Sequence, residues 1–439
     1  MLQKFQEHIK SDFSFLENSK LLIAISGGVD SVALTHLLQG LNCEISLAHC
    51  NFNLRGAESN ADEQLVRYLG KTLNLKTFFI HFDTAEFAKT NKQSTQLAAR
   101  NLRYTWFEEL RTKHQFDFVL TAHHADDNLE TFLINLTRGT GLDGFTGIPT
   151  VNKAIVRPLL SFSRAEIEQY ATKNNLVWRE DQSNASTKYL RNKIRHQILP
   201  VLKEINPSML DSFQKTLVYL QESQLLIDDR IEVVKKETVQ ELQDYLSIDI
   251  QKIEVLSNPK AYLYQLLKGY NFTEWNDVVD LLKAQTGKQV FSSTHRLLKD
   301  RDFLLLSEIN SNVSSSAVER FLINDNTSEI THPIHLNLLT VSTSASKEKN
   351  CVFLDKSMLI FPLILRKWQH GDFFYPTGME GKKKLSNYFK DEKYSLLDKE
   401  STWLLCTEEN ILWIVGKRQD KRFLLKTSTN NILKVSFIS

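Results

Sequence analysis

The segment Leu21-Leu22-Ile23-Ala24-Ile25-Ser26-Gly27-Gly28-Val29-Asp30-Ser31 constrains the fold more than any other stretch. Five consecutive apolar residues read as a strand buried on both faces, as in the interior of a parallel sheet. Ser26-Gly27-Gly28 then demands a tight turn, because glycine accepts backbone angles that other residues avoid. From Val29 the spacing becomes helical, with Val32, Ala33, Leu37 and Leu38 on a shared face. A strand, a glycine turn and a helix start aim several backbone N–H groups at one point. That point suits an anion, most simply a phosphate. The hydroxyls of Ser26 and Ser31 add donors, and the Asp30 carboxylate either holds Mg²⁺ or caps the helix. The spacing is neither G-x-x-x-x-G-K-S/T, which needs a lysine, nor G-x-G-x-x-G.

Strands and helices alternate through the first half of the chain. Strands are expected over Glu44–His49, Lys76–Phe82, Phe116–Thr121 and Ile155–Leu159, with helices over Asn60–Leu73, Gln93–His114 and Asp126–Leu136. Ser163 reads as the N-cap of a further helix. This alternation predicts a doubly wound α/β domain, a parallel sheet with helices on both faces. Ligands of such sheets collect at the carboxyl ends of strands, where the Ser26 turn sits. Two arginine-bearing segments fall at that edge. Arg55, in the loop after the second strand, is either a phosphate or RNA contact or an ordinary surface residue. Arg100 and Arg103 are three apart on one helix and share a face. Beside a triphosphate, that pair would stabilise developing negative charge.

A second signal is Thr121-Ala122-His123-His124-Ala125-Asp126-Asp127, where the fourth strand turns into a helix. Two histidines and two acids at a strand end can supply a general base and a metal-bound carboxylate, or simply an acid-capped helix. Four glycines in residues 139–147 follow, giving a loop able to approach a ligand closely. Residues 182–203 carry Lys188, Arg191, Lys193, Arg195 and Lys203 with no acid among them. Such an unbroken run at the edge of a nucleotide domain suits RNA phosphates.

The chain of 439 residues is too long for one core. Expected domains are 1–205, a helical domain over 206–320 with a strand pair near Arg296–Ser307, and a small β-rich domain over 330–439. Residues 310–326, rich in Ser and Asn, are the expected linker. In the last domain Arg366 precedes Lys382, Lys383 and Lys384, with Trp368 and Tyr375 nearby. Cations interleaved with aromatic rings suit a nucleic-acid backbone and a stacked base. The net charge is only +2, so any RNA surface must be local. Cys43, Cys50, Cys351 and Cys406 form no CxxC pair, which fits reduced thiols. The first eight residues lack the apolar core of a signal peptide, and no run approaches about 18 apolar residues. The expectation is a cytoplasmic protein with no membrane contact, for which a homodimer is left open.

The Ser26–Ser31 turn resembles the SGGxDS loop of the PP-loop ATP pyrophosphatases. Taken with His49–Ser59, His123–Thr131, Gly141–Gly147, Arg157-Pro158-Leu159-Leu160, Arg191–Arg195 and Arg366–Ser386, the whole resembles the tRNA(Ile)-lysidine synthase family. The resemblance is clearest before residue 200 and around 366–386. It implies that ATP adenylates O2 of the wobble cytidine of the CAU-anticodon tRNA(Ile), and that the ε-amine of free L-lysine then displaces AMP. It implies ATP contacts at Ser26, Gly27, Gly28, Val29, Asp30 and Ser31, with Mg²⁺ near Asp30. Asp127 or Asp126 would act as base, with Asp127 favoured. Arg103, with Arg100 as substitute, would stabilise charge, and His123 would orient the nucleotide. Arg55, Lys188, Arg191, Arg195, Arg366, Lys382, Lys383 and Lys384 would carry the tRNA.

Three other readings compete. A tRNA thiolase of the same fold commonly needs a catalytic cysteine or a cluster-holding CxxC pair, and the cysteine spacing here is wrong for both. An amidating ligase needs a glutamine-hydrolysing partner or domain, for which no nucleophile motif is present. A non-catalytic RNA-binding or nucleotide-sensing relative would have no need of Asp30, Asp126 and Asp127.

Overall fold

Strand β1 (Lys20–Ala24) buries Leu21, Leu22 and Ile23 completely, as an unbroken apolar run requires of a strand covered on both faces. The computed structural model describes residues 1–41, 43–180, 190–242, 244–309, 320–342, 350–408, 410–426 and 429–438. They divide into two units, Met1–Asp229 and Arg230–Ser439.

In the first unit β1 pairs in parallel with β2 (Glu44–Asn51), and β2 with β3 (Thr77–His81). On its other side β1 pairs in parallel with β4 (Phe118–Leu120). Strands β5 (Val151–Asn152) and β6 (Ile155–Val156) form a short hairpin. There β6 runs parallel to β4 and β5 is the antiparallel edge of a six-stranded sheet ordered β3-β2-β1-β4-β6-β5. The strand expected over Ile155–Leu159 stops after two residues, because Pro158 has no N–H to give the ladder.

The helices are α1 (Leu2–Asp12), α2 (Val29–Gln39), α3 (Ala57–Thr72), α4 (Thr84–Thr90), α5 (Thr95–His114), α6 (Ala125–Arg138), α7 (Leu142–Phe145) and α8 (Arg164–Lys173). Alternation along β1 sends Leu21 and Ile23 to one face and Leu22 to the other. The first face packs on α1, α2, α3 and α8 through Phe5, Val32, Leu37, Val66 and Ile167. The second packs on α5 through Trp106, Phe107 and Leu110. The sheet is therefore doubly wound. Strand order reverses between β1 and β4, which opens a crevice at their carboxyl ends.

A third apolar cluster joins Leu129 of α6 to Ile194, Leu199, Phe213 and Leu217. It clamps residues 190–205 onto α6, with a π-helical turn over Ile194–Ile198. The helix Met209–Thr238 begins in this unit and continues past residue 230.

The second unit starts with a five-stranded sheet whose strands all pair antiparallel, built on residues 239–308. It is packed by helices Pro259–Leu267 and Trp275–Asp280 around Leu263, Val278, Leu297 and Leu304. The expected strand pair is His295–Asp300 with Phe303–Glu308. The three further strands are three or four residues long, too short for a period to show. The described residues of 320–438 include two four-stranded antiparallel sheets and a two-stranded one, the expected β-rich region. The linker expected over 310–326 lies outside the described residues up to 319, and Arg320–Ile323 is already a strand. Among the described residues no helix is long and apolar enough to cross a membrane.

Candidate active site

The turn after β1 is held open by its own side chains. Gly27 sits at φ +93°, in the region that favours glycine. The Ser31 hydroxyl accepts from the Ser26 N–H at 3.2 Å and donates to the Gly28 carbonyl at 3.0 Å. The Ser26 hydroxyl accepts from the Gly28 N–H at 3.3 Å. The first-turn N–H groups of α2 have no partner within the helix. Outside the turn, the Arg179 N–H donates to the Gly27 carbonyl at 3.0 Å. The Arg179 side chain reaches Asp62 at 2.9 Å and Glu58 at 2.5 Å, and Arg55 reaches Asp62 at 3.0 Å. Arg55 is thus drawn to the rim of the turn by a carboxylate the sequence did not single out.

The turn after β4 delivers His124 as the N-cap of α6. Its Nδ1 accepts from the Asp127 N–H at 3.4 Å, and Asp127 Oδ2 accepts from the His124 N–H at 3.2 Å, closing a capping box. His124 Nε2 then lies 3.4 Å from Asp127 Oδ2 and 3.8 Å from Asp30 Oδ1. The two turns meet there. His123 is held by Thr121 at 2.9 Å. Burial pushes His123 down to about 4, reinforced by Arg157, Arg191 and Arg103 and opposed by Asp127.

Each acid has a fixed place. Asp126 Oδ2 accepts the Arg164 N–H at 2.9 Å, and Asp126 Oδ1 accepts from Lys203. Burial raises the Asp126 carboxyl, but the Arg164 N–H and Lys203 outweigh it and leave it below its ordinary value. Asp127 Oδ1 accepts from Arg195 at 3.1 Å. Burial raises this carboxyl too, and His124, His123, Arg195 and Arg191 bring it below its ordinary value. Glu130, one turn along α6 and fully buried, accepts from Arg195 Nε at 2.6 Å and from its Nη2 at 3.0 Å. Its carboxyl stays raised, because burial and Asp127 outweigh Arg195 and Arg191. Arg191 lies 3.4 Å from Glu130 and donates to Thr131 at 2.6 Å. The expected RNA contacts Arg191 and Arg195 therefore face the crevice carboxylates.

Asp30 completes the cluster. Its Oδ2 accepts from Arg164 at 3.1 Å, while its Oδ1 is buried with no hydrogen-bond partner. Burial raises the Asp30 carboxyl, against the pull of His124 and Arg164. Among the described residues no three His, Cys, Asp or Glu side chains are grouped to hold a metal by themselves. A cation at Asp30 would have to share its coordination with phosphate oxygens and water, as Mg²⁺ does.

Of the arginines on α5, Arg103 lies over the Phe52 ring at 5.2 Å and acts on His123, whereas Arg100 lies over Tyr104 at 5.0 Å. Lys188 is outside the described residues. In the second unit, Arg366 is buried against Asp372 in a bidentate pair at 2.8 Å. Lys382 lies over Phe373 at 4.7 Å, Lys383 pairs with Asp391 at 2.8 Å, and Lys384 is exposed. Glu130, Arg164 and Lys203 are cluster members that sequence reasoning did not assign to the site. Their local signals were the position of Glu130 one turn beyond Asp127, the Ser163 cap that fixes Arg164, and the place of Lys203 in the basic run.

Residues 1–202 match the family model of the PP-loop domain, and residues 240–309 match that of the TilS substrate binding domain. A protein of Parabacteroides distasonis named tRNA(Ile)-lysidine synthase is 40% identical over 445 residues, covering 100% of both chains. Its namesake in Bacteroides thetaiotaomicron is 37% identical over 98% of each chain. That of Porphyromonas gingivalis is 36% identical over 96% of each. Likeness of this degree, sustained from end to end, means that the chain belongs to the tRNA(Ile)-lysidine synthase family.

Proposed function

We propose that this chain ligates lysine onto C2 of the wobble cytidine of the CAU-anticodon tRNA(Ile), consuming ATP and releasing AMP and diphosphate. The reading is carried by the meeting of Asp30 and His124, which puts a phosphate-binding turn and a carboxylate cluster in one crevice. In the first step cytidine O2 bonds to the α-phosphorus as the bond to the β-phosphate oxygen breaks. In the second the lysine ε-nitrogen bonds to C2, and the C2–O bond breaks with AMP as leaving group. The product pairs with A, so the tRNA reads AUA in place of AUG.

Ser26, Gly27, Gly28, Val29 and Ser31 hold the departing diphosphate through backbone N–H groups and hydroxyls. The unpartnered Asp30 oxygen fits one coordination position of Mg²⁺. An ion there would neutralise charge on the diphosphate. Arg103, nearer the cluster than Arg100, stabilises charge during adenylyl transfer. His123, neutral above about pH 4, orients the nucleotide by hydrogen bonding rather than by charge.

Lysine arrives as an ammonium with an ordinary pKa of about 10.4 and must lose a proton before or as it bonds. Both carboxylates have both oxygens engaged, Asp126 by Lys203 and the Arg164 N–H and Asp127 by Arg195 and the His124 N–H, so exposure separates them. Asp127 is less buried, at 14% side-chain exposure against 7%, and takes the role of drawing the ammonium in and accepting its proton. Its carboxyl stays ionised through the neutral range. No cysteine competes for the chemistry from this crevice, since burial pushes the Cys50 thiol up to about 12. Arg55, Lys188, Lys382, Lys383 and Lys384 are proposed to carry tRNA phosphates. The chain is proposed to act in the cytoplasm, as a monomer or a homodimer.

Diphosphate release by purified protein, assayed with and without tRNA and lysine, tests the reading. Release that needs the CAU tRNA, with AMP and modified tRNA formed only when lysine is present, is expected. Release indifferent to tRNA contradicts it. Asp127→Ala that still forms lysidine at the normal rate contradicts the base assignment alone.

A further inference from the structure

Phe52 and Phe82 each follow directly on a parallel strand, next to the register pair Asn51 and His81 of β2 and β3. They sit side by side at the carboxyl edge of the sheet, with ring centroids 5.7 Å apart and planes only 25° from parallel. The backbone around them is pinned. The Phe82 N–H donates to the Asn51 carbonyl at 2.8 Å, Asn53 to the Phe82 carbonyl at 3.3 Å, and Thr84 to the Phe52 carbonyl at 3.0 Å. Phe82 leans on the α5 core, but Phe52 belongs to none of the apolar clusters and is half-buried on top of it.

Arg103 caps this stack, its guanidinium centre 5.2 Å from the Phe52 ring. Among the described residues its N–H donors have no hydrogen-bond or ion-pair partner, unlike Arg164, Arg179, Arg191 and Arg195 around the same crevice. A planar cation over an aromatic ring with all its edge donors unspent is built to receive something planar and rich in acceptors. The Arg103 charge also acts on His123.

We propose that Phe82, Phe52 and Arg103 form a seat for one unpaired nucleotide of the RNA substrate, a base flanking the target cytidine in the anticodon loop. The base stacks on the Arg103–Phe52 layer, and its phosphate or ring carbonyl accepts from the Arg103 edge. Single-stranded RNA is held in this way because every base has a π face, and an unpaired loop base has both faces free. A protein ligand or a free mononucleotide would not need a seat set beside, rather than within, the phosphate turn. The proposal rests on the RNA-modifying reading given above.

The test uses the full chain and a synthetic anticodon stem-loop of the CAU tRNA. Phe52→Ala and Phe52→Leu are expected to weaken stem-loop binding by about tenfold or more. Phe52→Trp restores it, and the KM for ATP stays within about twofold throughout. Arg103→Lys, which keeps the charge and loses the plane, weakens stem-loop binding as well. Thermal midpoints report whether Phe52→Ala only loosens the fold. A leucine variant that binds stem-loop as tightly as the parent overturns the seat. So does an alanine variant that loses ATP and stem-loop in parallel with its stability. If the parent protein forms lysidine while either of these holds, the seat fails and the enzymatic reading stands. If the parent neither binds nor modifies the RNA, that reading fails first and the seat with it.

Discussion

Asp30 Oδ1 and His124 Nε2 stand 3.8 Å apart, a contact that ties the turn after β1 to the turn after β4. That oxygen is buried and has no hydrogen-bond partner, although Arg164 holds the other oxygen of the same carboxylate. Asp30→Ala is expected to lower kcat/KM for ATP by about a hundredfold, the usual cost of one electrostatic contact at a reacting phosphate. Binding of the anticodon stem-loop should stay within about threefold. Equal loss of both would mean that Asp30 holds the fold together rather than the nucleotide.

Gly27 offers a separate handle on the same turn. An added Cβ would find its nearest neighbour, the Asp62 carbonyl oxygen, at 3.6 Å, so space is available. The cost of Gly27→Ala therefore comes from φ +93° and is of order 1–3 kcal/mol. Relaxing that angle turns the N–H groups away from the phosphate. A rise of about tenfold in KM for ATP, against a small change in thermal midpoint, is expected from steady-state kinetics and calorimetry.

The Arg195–Glu130 pair governs stability. Arg195→Ala leaves a fully buried carboxylate without its bidentate partner, which typically costs about 3–5 kcal/mol. Adding Glu130→Gln removes the stranded charge and should recover more than half of the lost thermal stability. A double variant no more stable than Arg195→Ala would show that the pair is not coupled.

His123 links stability to pH. Its ordinary value is 6.5 and its folded value about 4, so the unfolded chain binds the proton first. The contribution is complete above pH 6.5 and is lost as pH falls from 6.5 through 4, a total of about 3 kcal/mol. His123→Gln removes this linkage. Between pH 7 and 4 the parent should lose more stability than the variant, by urea unfolding followed at each pH. Parallel curves would contradict a buried, neutral His123.

What the sequence made legible was local. The apolar run, two glycines and a helix start within eleven residues fix the phosphate turn, and His123 to Asp127 lie at one strand end. The charge partners are not local. Arg195 meets Glu130 across 65 residues, Lys203 meets Asp126 across 77, and Arg164 meets Asp30 across 134. A basic run such as 190–205 reads alike whether it faces solvent or buried acids. Only the packing of Ile194 and Leu199 on Leu129 decides that, and it turns Arg191 and Arg195 inward. The Phe52–Phe82 stack was equally hidden, since it depends on the register of β2 against β3.

The most direct measurement is the mass of the nuclease-released anticodon fragment after incubation of the protein with ATP, Mg²⁺, lysine and CAU tRNA(Ile). A gain of one lysyl group on the wobble cytidine, absent without ATP and absent with methionine tRNA, is the expected result. An unchanged mass, or a sulfur-sized change, would contradict lysidine formation by this chain.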